Sequence, residues 1–479
     1  MVWGGFKNLS DMRIPVLLTL VPALVYAAGL LSGCGTRSVE PLIEGVPDDA
    51  VAVKVVDLAS LLKEAGCEVA VSDGITSPCA SMVVSLVAEP DFRDIFTGIL
   101  STGKCADLSK VIMFTTSAGH EILTFRLRDQ EAFCRIMGCK PEKAVIGEGK
   151  NKRDFRRAEV GGMALVMDNG RCWVASRFDD IKGALEGAYR SHFGELEGVR
   201  EFLDAPGAAR LAVNCGRSSL SFLGGGSRWL CIGFNVTEAS VSAGAVVMDR
   251  DGKLDSIGKR FGEIDTDFLR YTPNDAAVVL AFGKYDGNVR GLSMLFGRFA
   301  PVYLSQADGT TSLYAVPAGG GEAVASAGPG SWNVETMVHV PEDVMREGLR
   351  QYKERAGGKA RDIGNQWTYS EGDNNYYFGA FDGCLVFSSN REISAAYTNS
   401  FNEDFSGRRA AMIVDVASGS VLAKAWGLPF GLSFRLGVDD TRVKARITFN
   451  GSHENALRSL LKLPQLPDLK ERFRANTAR

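Results

Sequence analysis

The sequence predicts an α+β fold, built as two tandem related copies with largely antiparallel sheets and helices packed on one face. Three observations lead there. Apolar segments come in pairs joined by short turn signals. Helical segments fall between those pairs. And a set of turn-plus-strand segments recurs in the same order along the chain. Consecutive hairpins imply antiparallel pairing, which leaves a face for helices to cover.

The first copy reads as follows. A strand over 50–56 runs into a helix over 58–65. Strands over 111–116 and 121–126 are joined by Ser117-Ala118-Gly119. An acidic cap at Asp129 opens a helix to 137. Residues 163–167 and 172–176 form a hairpin across Asp168-Asn169-Gly170, because Asn-Gly suits a tight primed turn. A helix over 178–189 follows, then strands over 210–214, 230–236 and 240–248. The second copy offers a strand over 332–340 and a helix over 341–355 with proline in its first turn. It continues with a hairpin of 376–381 and 384–388 and strands over 411–416, 431–438 and 442–449. Small residues dominate 316–331, which reads as a flexible loop inside the second copy.

The recurrence sets the domain reading. Val46-Pro47-Asp48-Asp49-Ala50 returns as Thr272-Pro273-Asn274-Asp275-Ala276. The turn of 167–170 returns at 380–383, and that of 247–252 at 446–451. The offset falls along the chain, as expected if loops shortened in one copy. The expected division is a signal segment over 1–33, a tether over 34–45, copies over 46–271 and 272–470, and a tail over 471–479. Cys172 and Cys384 sit in matching hairpins one residue out of register, which puts them on opposite strand faces.

The N-terminus carries the most specific motif. Lys7 and Arg13 precede an apolar run over 14–31, and the run ends in Leu31-Ser32-Gly33-Cys34. A charged start, a short apolar core and small residues before a cysteine form a bacterial lipoprotein signal, cut between Gly33 and Cys34 with the thiol acylated. Pro15 and Pro22 interrupt the run, which suits a transient signal better than a lasting membrane helix. Two or three acyl chains hold a protein durably on a membrane. The lipid attachment residue is therefore Cys34, and Leu31, Ser32 and Gly33 are the peptidase motif. The membrane is the first expected partner.

Removing residues 1–33 from the 479 leaves 446, which suits more than one core. The net charge of −3 becomes −4 as Lys7, Asp11 and Arg13 leave, and this near-neutral balance gives no reason to expect nucleic-acid binding. Of ten cysteines, nine remain beside Cys34, with no Cys-x-x-Cys pair. Several lie in apolar surroundings and read as small buried hydrophobes, although an oxidising envelope would allow some to pair. Cys134 and Cys139 are five apart, a spacing poorly placed on one helix face.

Catalytic signals are sparse. His120, His192, His339 and His453 show no metal-ligand spacing, and each reads as structural. There is no G-x-S-x-G elbow and no phosphate loop. Asp249-Arg250-Asp251-Gly252 starts like a calcium loop, but Arg260 stands where a bidentate acid is needed. The adjacent acids Asp48-Asp49 and Asp179-Asp180 read as caps of the elements that follow. Lys150, Lys152, Arg153, Arg156 and Arg157 form the densest positive group and read as a solvated loop. A tethered protein would present such a group to anionic headgroups. Trp367, Tyr376 and Tyr377 read as alternating strand packing. No catalytic residue, metal or cofactor is expected.

The opening 46–50, the helix Asp57-Leu58-Ala59-Ser60-Leu61-Leu62-Lys63-Glu64-Ala65-Gly66, and Phe125-Arg126-Leu127-Arg128-Asp129 before a helix resemble uncharacterised Bacteroidales envelope lipoproteins. The resemblance implies an outer-membrane lipoprotein with tandem αβ halves and no catalytic residues to carry over. Glu40 is the first acid after Cys34, six positions on, which favours a periplasm-facing protein over a surface-exported one. The expected function is a non-enzymatic binding or structural module with a protein, glycan or lipid partner. The rivals are an envelope hydrolase with carboxylates assembled in the fold, and a periplasmic lipid carrier.

Overall fold

The computed structural model describes residues 40–67, 78–87, 92–101, 105–147, 149, 152–168, 170–218, 227–274, 276–286, 306–317, 332–357, 361–362, 366–371, 374–381, 383–389, 402–420, 423–424, 428–452 and 454–461. Leu31, Ser32, Gly33 and Cys34, the tail over 471–479 and most of the small-residue loop of 316–331 lie outside the described residues. So do the side chains of Trp367 and Tyr376. The described chain forms two compact units, one of residues 40–255 with 454–461 and one of 256–452.

The first unit opens with α1 (Glu40–Ile43), β1 (Ala52–Val56), α2 (Leu58–Glu64), α3 (Pro78–Val87) and α4 (Arg93–Ser101). There follow β2 (Ala106–Thr115), β3 (Glu121–Leu127), α5 (Gln130–Met137), β4 (Glu142–Ile146), β5 (Arg153–Val160), β6 (Met163–Asp168), β7 (Arg171–Ala175), α6 (Phe178–Ala188), α7 (Glu197–Asp204), β8 (Ala209–Asn214), β9 (Trp229–Val236) and β10 (Ser240–Met248). Every pairing is antiparallel, and the strand order is 4-5-6-7-3-2-1-8-9-10. The β2–β3 turn closes where Thr116 N–H donates to the His120 carbonyl at 2.9 Å. Gly119 supplies the positive φ, 83°, that this turn needs. Asp57 caps α2 by accepting from Ser60 N–H, and Asp129 caps α5 by accepting from Ala132 N–H, each at 2.9 Å.

The second unit contains β11 (Val278–Phe282), β12 (Thr311–Pro317), β13 (Trp332–His339), α8 (Glu342–Ala356), β14 (Arg361–Asp362), β15 (Gln366–Glu371), β16 (Asn374–Phe381), β17 (Cys384–Ser389), α9 (Asn402–Phe405), β18 (Ala410–Val416), β19 (Gly431–Val438) and β20 (Arg442–Asn450). Again all pairs are antiparallel, in the order 14-15-16-17-13-12-11-18-19-20. A last helix, α10 (Ala456–Leu461), belongs to the first unit. Ala456 N–H donates to the Glu238 carbonyl, and the Asn455 amide donates to the Glu64 carbonyl.

The mixed α and β composition and the antiparallel pairing are as expected. The placement of helices on one face is not. In the first unit Ile122 joins a core shared with α1, α6 and α7, through Leu42, Ile181, Leu185, Val199 and Leu203. Phe125, three residues on, points to the opposite face and meets Phe133 of α5, ring centroids 5.9 Å apart. The second unit is covered on both faces too. Val338, Leu385 and Phe378 pack with Val344, Met345 and Leu349 of α8. Met337, Cys384 and Val386 face the other way, with Tyr271. A wide sheet with apolar residues at both parities must be covered twice, because either face left bare would expose its share of valine and leucine to water.

Candidate functional site: a basic sheet edge

The β4–β5 hairpin is the feature that the sequence reading missed. The basic group expected as a solvated loop lies largely on β5, paired in register with β4: Lys143 opposite Arg156, Glu142 opposite Arg157, Val145 opposite Asp154 and Ile146 opposite Arg153. β5 buries only Phe155 and Ala158, three positions apart. That spacing breaks the alternation by which half-buried strands are recognised. Among the described residues β4 pairs only with β5, so it forms an edge of the first unit's sheet.

Pleating distributes the cations over both sides of this edge. Arg153 and Arg157 share the face of Phe155. The Arg153 guanidinium lies over the Tyr189 ring, 4.6 Å from its centroid, and that of Arg157 over the Phe178 ring at 5.2 Å. Burial pushes the Tyr189 phenol up, against the opposing pull of Arg153. Lys143 and Arg156 occupy the other face, where Arg156 acts on the buried Cys134 thiol. Among the described residues none of Lys140, Lys143, Lys152, Arg153, Arg156 and Arg157 forms an ion pair. Elsewhere in the same unit arginines do find carboxylates: Arg128 with Asp107 at 3.3 Å, Arg217 with Asp49 at 3.4 Å, Arg228 with Asp255 at 3.0 Å. Two of the most exposed large apolar side chains accompany the cations, Val145 on β4 at 45% and Ile136 on α5 at 50%.

A continuous set of contacts joins this edge to the point where the described chain begins. Glu44, just after α1, reaches Arg171 at 3.7 Å. Arg171 lies over Trp173, 5.2 Å from the ring centroid. Trp173 meets Phe155 edge-on at 6.1 Å, and Phe155 stands between Arg153 and Arg157.

The remaining candidates are accounted for locally. Asp48 and Asp49 do not cap β1; they accept from Ser191 Oγ at 2.9 Å and Ser117 Oγ at 2.6 Å and tie loops together. Asp180 stands in the first turn of α6, paired with Arg177 at 3.1 Å and near His120 at 3.5 Å. His192 approaches Glu195 at 3.8 Å, and His339 Nδ1 meets Asp308 at 2.7 Å. His453 lies outside the described residues. Asp249 accepts from Asp251 N–H and Lys253 N–H, closing a turn with its own carboxylate. Tyr377 is half-buried and packs beside Val386, while its neighbour Phe378 faces α8. Among the described residues no three metal-ligand side chains converge, and no helix is long and apolar enough to cross a membrane.

The thiols are more organised than their spacing suggests. α5 ends in a Schellman motif: Cys139 N–H donates to the Cys134 carbonyl at 2.9 Å, Gly138 N–H to the Arg135 carbonyl at 3.3 Å, with Gly138 at φ 67°. This folds Cys139 back toward Cys134, and both thiols are buried. Burial, with help from Cys139, pushes the Cys134 thiol up to about 12. Cys134 Sγ also lies 3.8 Å from Met167 Sδ. Cys67 is disulfide-bonded.

No family model and no curated protein matches the chain. Among solved structures, crystal forms III and IV of TP0453 are similar at a TM-score of 0.25, with 8% and 9% identity. They cover 43% of this chain and 78% and 79% of theirs. At that score the likeness carries no argument about fold or function.

Proposed function

We propose that the chain is a lipid-anchored protein of the bacterial cell envelope, held on the outer membrane facing the periplasm and acting as a non-enzymatic binding or structural module. The observation that carries the reading is Leu31-Ser32-Gly33-Cys34 directly behind a short, proline-interrupted apolar run. The disulfide at Cys67 supports it, because such bonds persist in oxidising compartments and are rare in a reducing cytosol. In this reading the chain is a relative of the uncharacterised Bacteroidales envelope lipoproteins. The test is Cys34→Ala. The exported variant should leave the membrane fraction, and mass spectrometry of the unsubstituted protein should find an acylated Cys34 at the amino terminus. An unmodified terminus upstream of Cys34 would overturn the reading.

We also infer that the two units descend from one ancestral unit. Their strand orders coincide when ten is added to each strand number. In both, a helix follows the third strand, α5 after β3 and α8 after β13. Superposing the units strand for strand in an experimental structure tests this; failure of β1–β3 to overlie β11–β13 would refute it.

A further inference from the structure

We propose that the β4–β5 edge is an anionic-membrane contact, in which Lys143, Lys152, Arg153, Arg156 and Arg157 meet phosphate headgroups while Val145 enters the headgroup boundary. The role as a membrane contact rests on the lipid-anchor reading above, since the anchor brings the edge to the surface.

Four observations converge on it. Residues 135–160 hold eight Lys or Arg against four Asp or Glu, a local +4 in a chain whose net charge is −3. Lys143 stands directly opposite Arg156 in the ladder. Like charges in that relation repel, and an anionic surface beside the edge would relieve that repulsion. The cations lie on both faces of an edge rather than converging in a groove. That arrangement addresses a flat charged surface better than a small ligand. And the edge is joined through Phe155, Trp173 and Arg171 to Glu44, ten residues after Cys34. Ten residues span at most about 35 Å, so a tethered body keeps this edge within reach of the bilayer.

Charge on an edge strand also guards against strand-to-strand aggregation. That role alone does not account for Val145, 45% exposed in the same strand, nor for an excess of unpaired cations. The second unit offers an internal contrast. Its corresponding edge hairpin, 361–371, carries Arg361 against Asp362 and Glu371. Only the unit that follows the tether is basic at this edge.

Basic residues near an anionic leaflet contribute about 1 kcal/mol each, roughly a fivefold preference per cation. The full exported chain, purified in detergent, is transferred to vesicles of phosphatidylcholine alone or phosphatidylcholine with phosphatidylglycerol, and amide hydrogen exchange of 142–160 is followed. Exchange should slow at least about threefold on the anionic vesicles and not on the neutral ones. The effect should vanish at about 1 M salt, where screening acts within about 3 Å, and in the exposed-site variant K143E/R156E. Equal exchange on both vesicles overturns the proposal. So does slowing by soluble polyglutamate with none on vesicles, which would assign the edge to an acidic protein. Flotation with neutral vesicles reads the lipid anchor separately. If the chain does not float with them, the anchor reading fails and flotation with anionic vesicles decides the edge, binding supporting it and its absence refuting it.

Discussion

The Arg153 guanidinium stands 4.6 Å from the centroid of the Tyr189 ring, so a cation of the edge hairpin is stacked on the residue that ends α6. The contact fixes an otherwise unpaired side chain and pins the hairpin to the helix beneath it. Tyr189→Leu keeps apolar bulk and removes the ring face. A loss of about 0.5–1 kcal/mol is expected, the range of an exposed cation–π pair. Urea unfolding measures it. The same loss in Tyr189→Leu and in an Arg153→Met background would show that the stacking contributes nothing.

Gly138 and Gly198 should fail differently. Gly138 adopts φ 67° with open space around its missing side chain, so Gly138→Ala strains only the backbone. About 1 kcal/mol is expected. Gly198, at the start of α7, would drive a methyl group into the backbone of Gly252. Its N–H donates to the Arg250 carbonyl at 3.0 Å, so helix and turn cannot separate without losing that bond. Gly198→Ala should cost more, about 1–3 kcal/mol. Comparison of their urea midpoints checks the order.

Asp57 makes stability depend on pH. Burial raises its pKa above the ordinary 3.8, while the Ser60 contacts and Lys110 pull the other way. The folded state thus holds this proton more tightly than the unfolded chain. Its contribution is full below 3.8 and is lost as pH rises through the folded value. Lys110 is lowered by burial, opposed by Asp204 and Asp57, so its own term recovers only toward 10.5. Asp57→Asn retains a capping side chain. The decline above 3.8 should flatten in that variant when urea midpoints are followed upward in pH. An unchanged slope would contradict the assignment.

Buried thiols should resist alkylation. Cys134 is pushed up to about 12, and burial raises Cys172 and Cys231 as well. Thiolates are the reacting species. Near pH 8 iodoacetamide should label the half-exposed Cys105 first, and the other three only on unfolding. Peptide mapping by mass spectrometry decides; early labelling of Cys134 in the folded protein would refute this.

Elements whose local signals agree with their burial were legible. The β6–β7 and β2–β3 hairpins and helix α5 fall close to where turn chemistry and the Asp129 cap put them, and helix α2 falls close to the expected 58–65. What escaped was set by tertiary context. Cys134 and Cys139 look mismatched on a continuous helix, but the helix stops between them. The β4–β5 edge buries too little to show a period. Helix α3, Pro-Cys-Ala-Ser-Met-Val-Val-Ser-Leu-Val, has small and apolar residues nearly throughout and no helical stripe to read. The basic residues were visible as a group; that they stand along an edge was not, because register is a property of the folded sheet.

The return of α10 to the first unit has a consequence for biogenesis. A ribosome delivers residues 40–255 long before it delivers Asn455 and Ala456, which bond Glu64 and Glu238. The earlier unit therefore waits, without α10, while the later one is synthesised. A message cut short before codon 455 would leave the half made first without the two bonds that α10 brings to it.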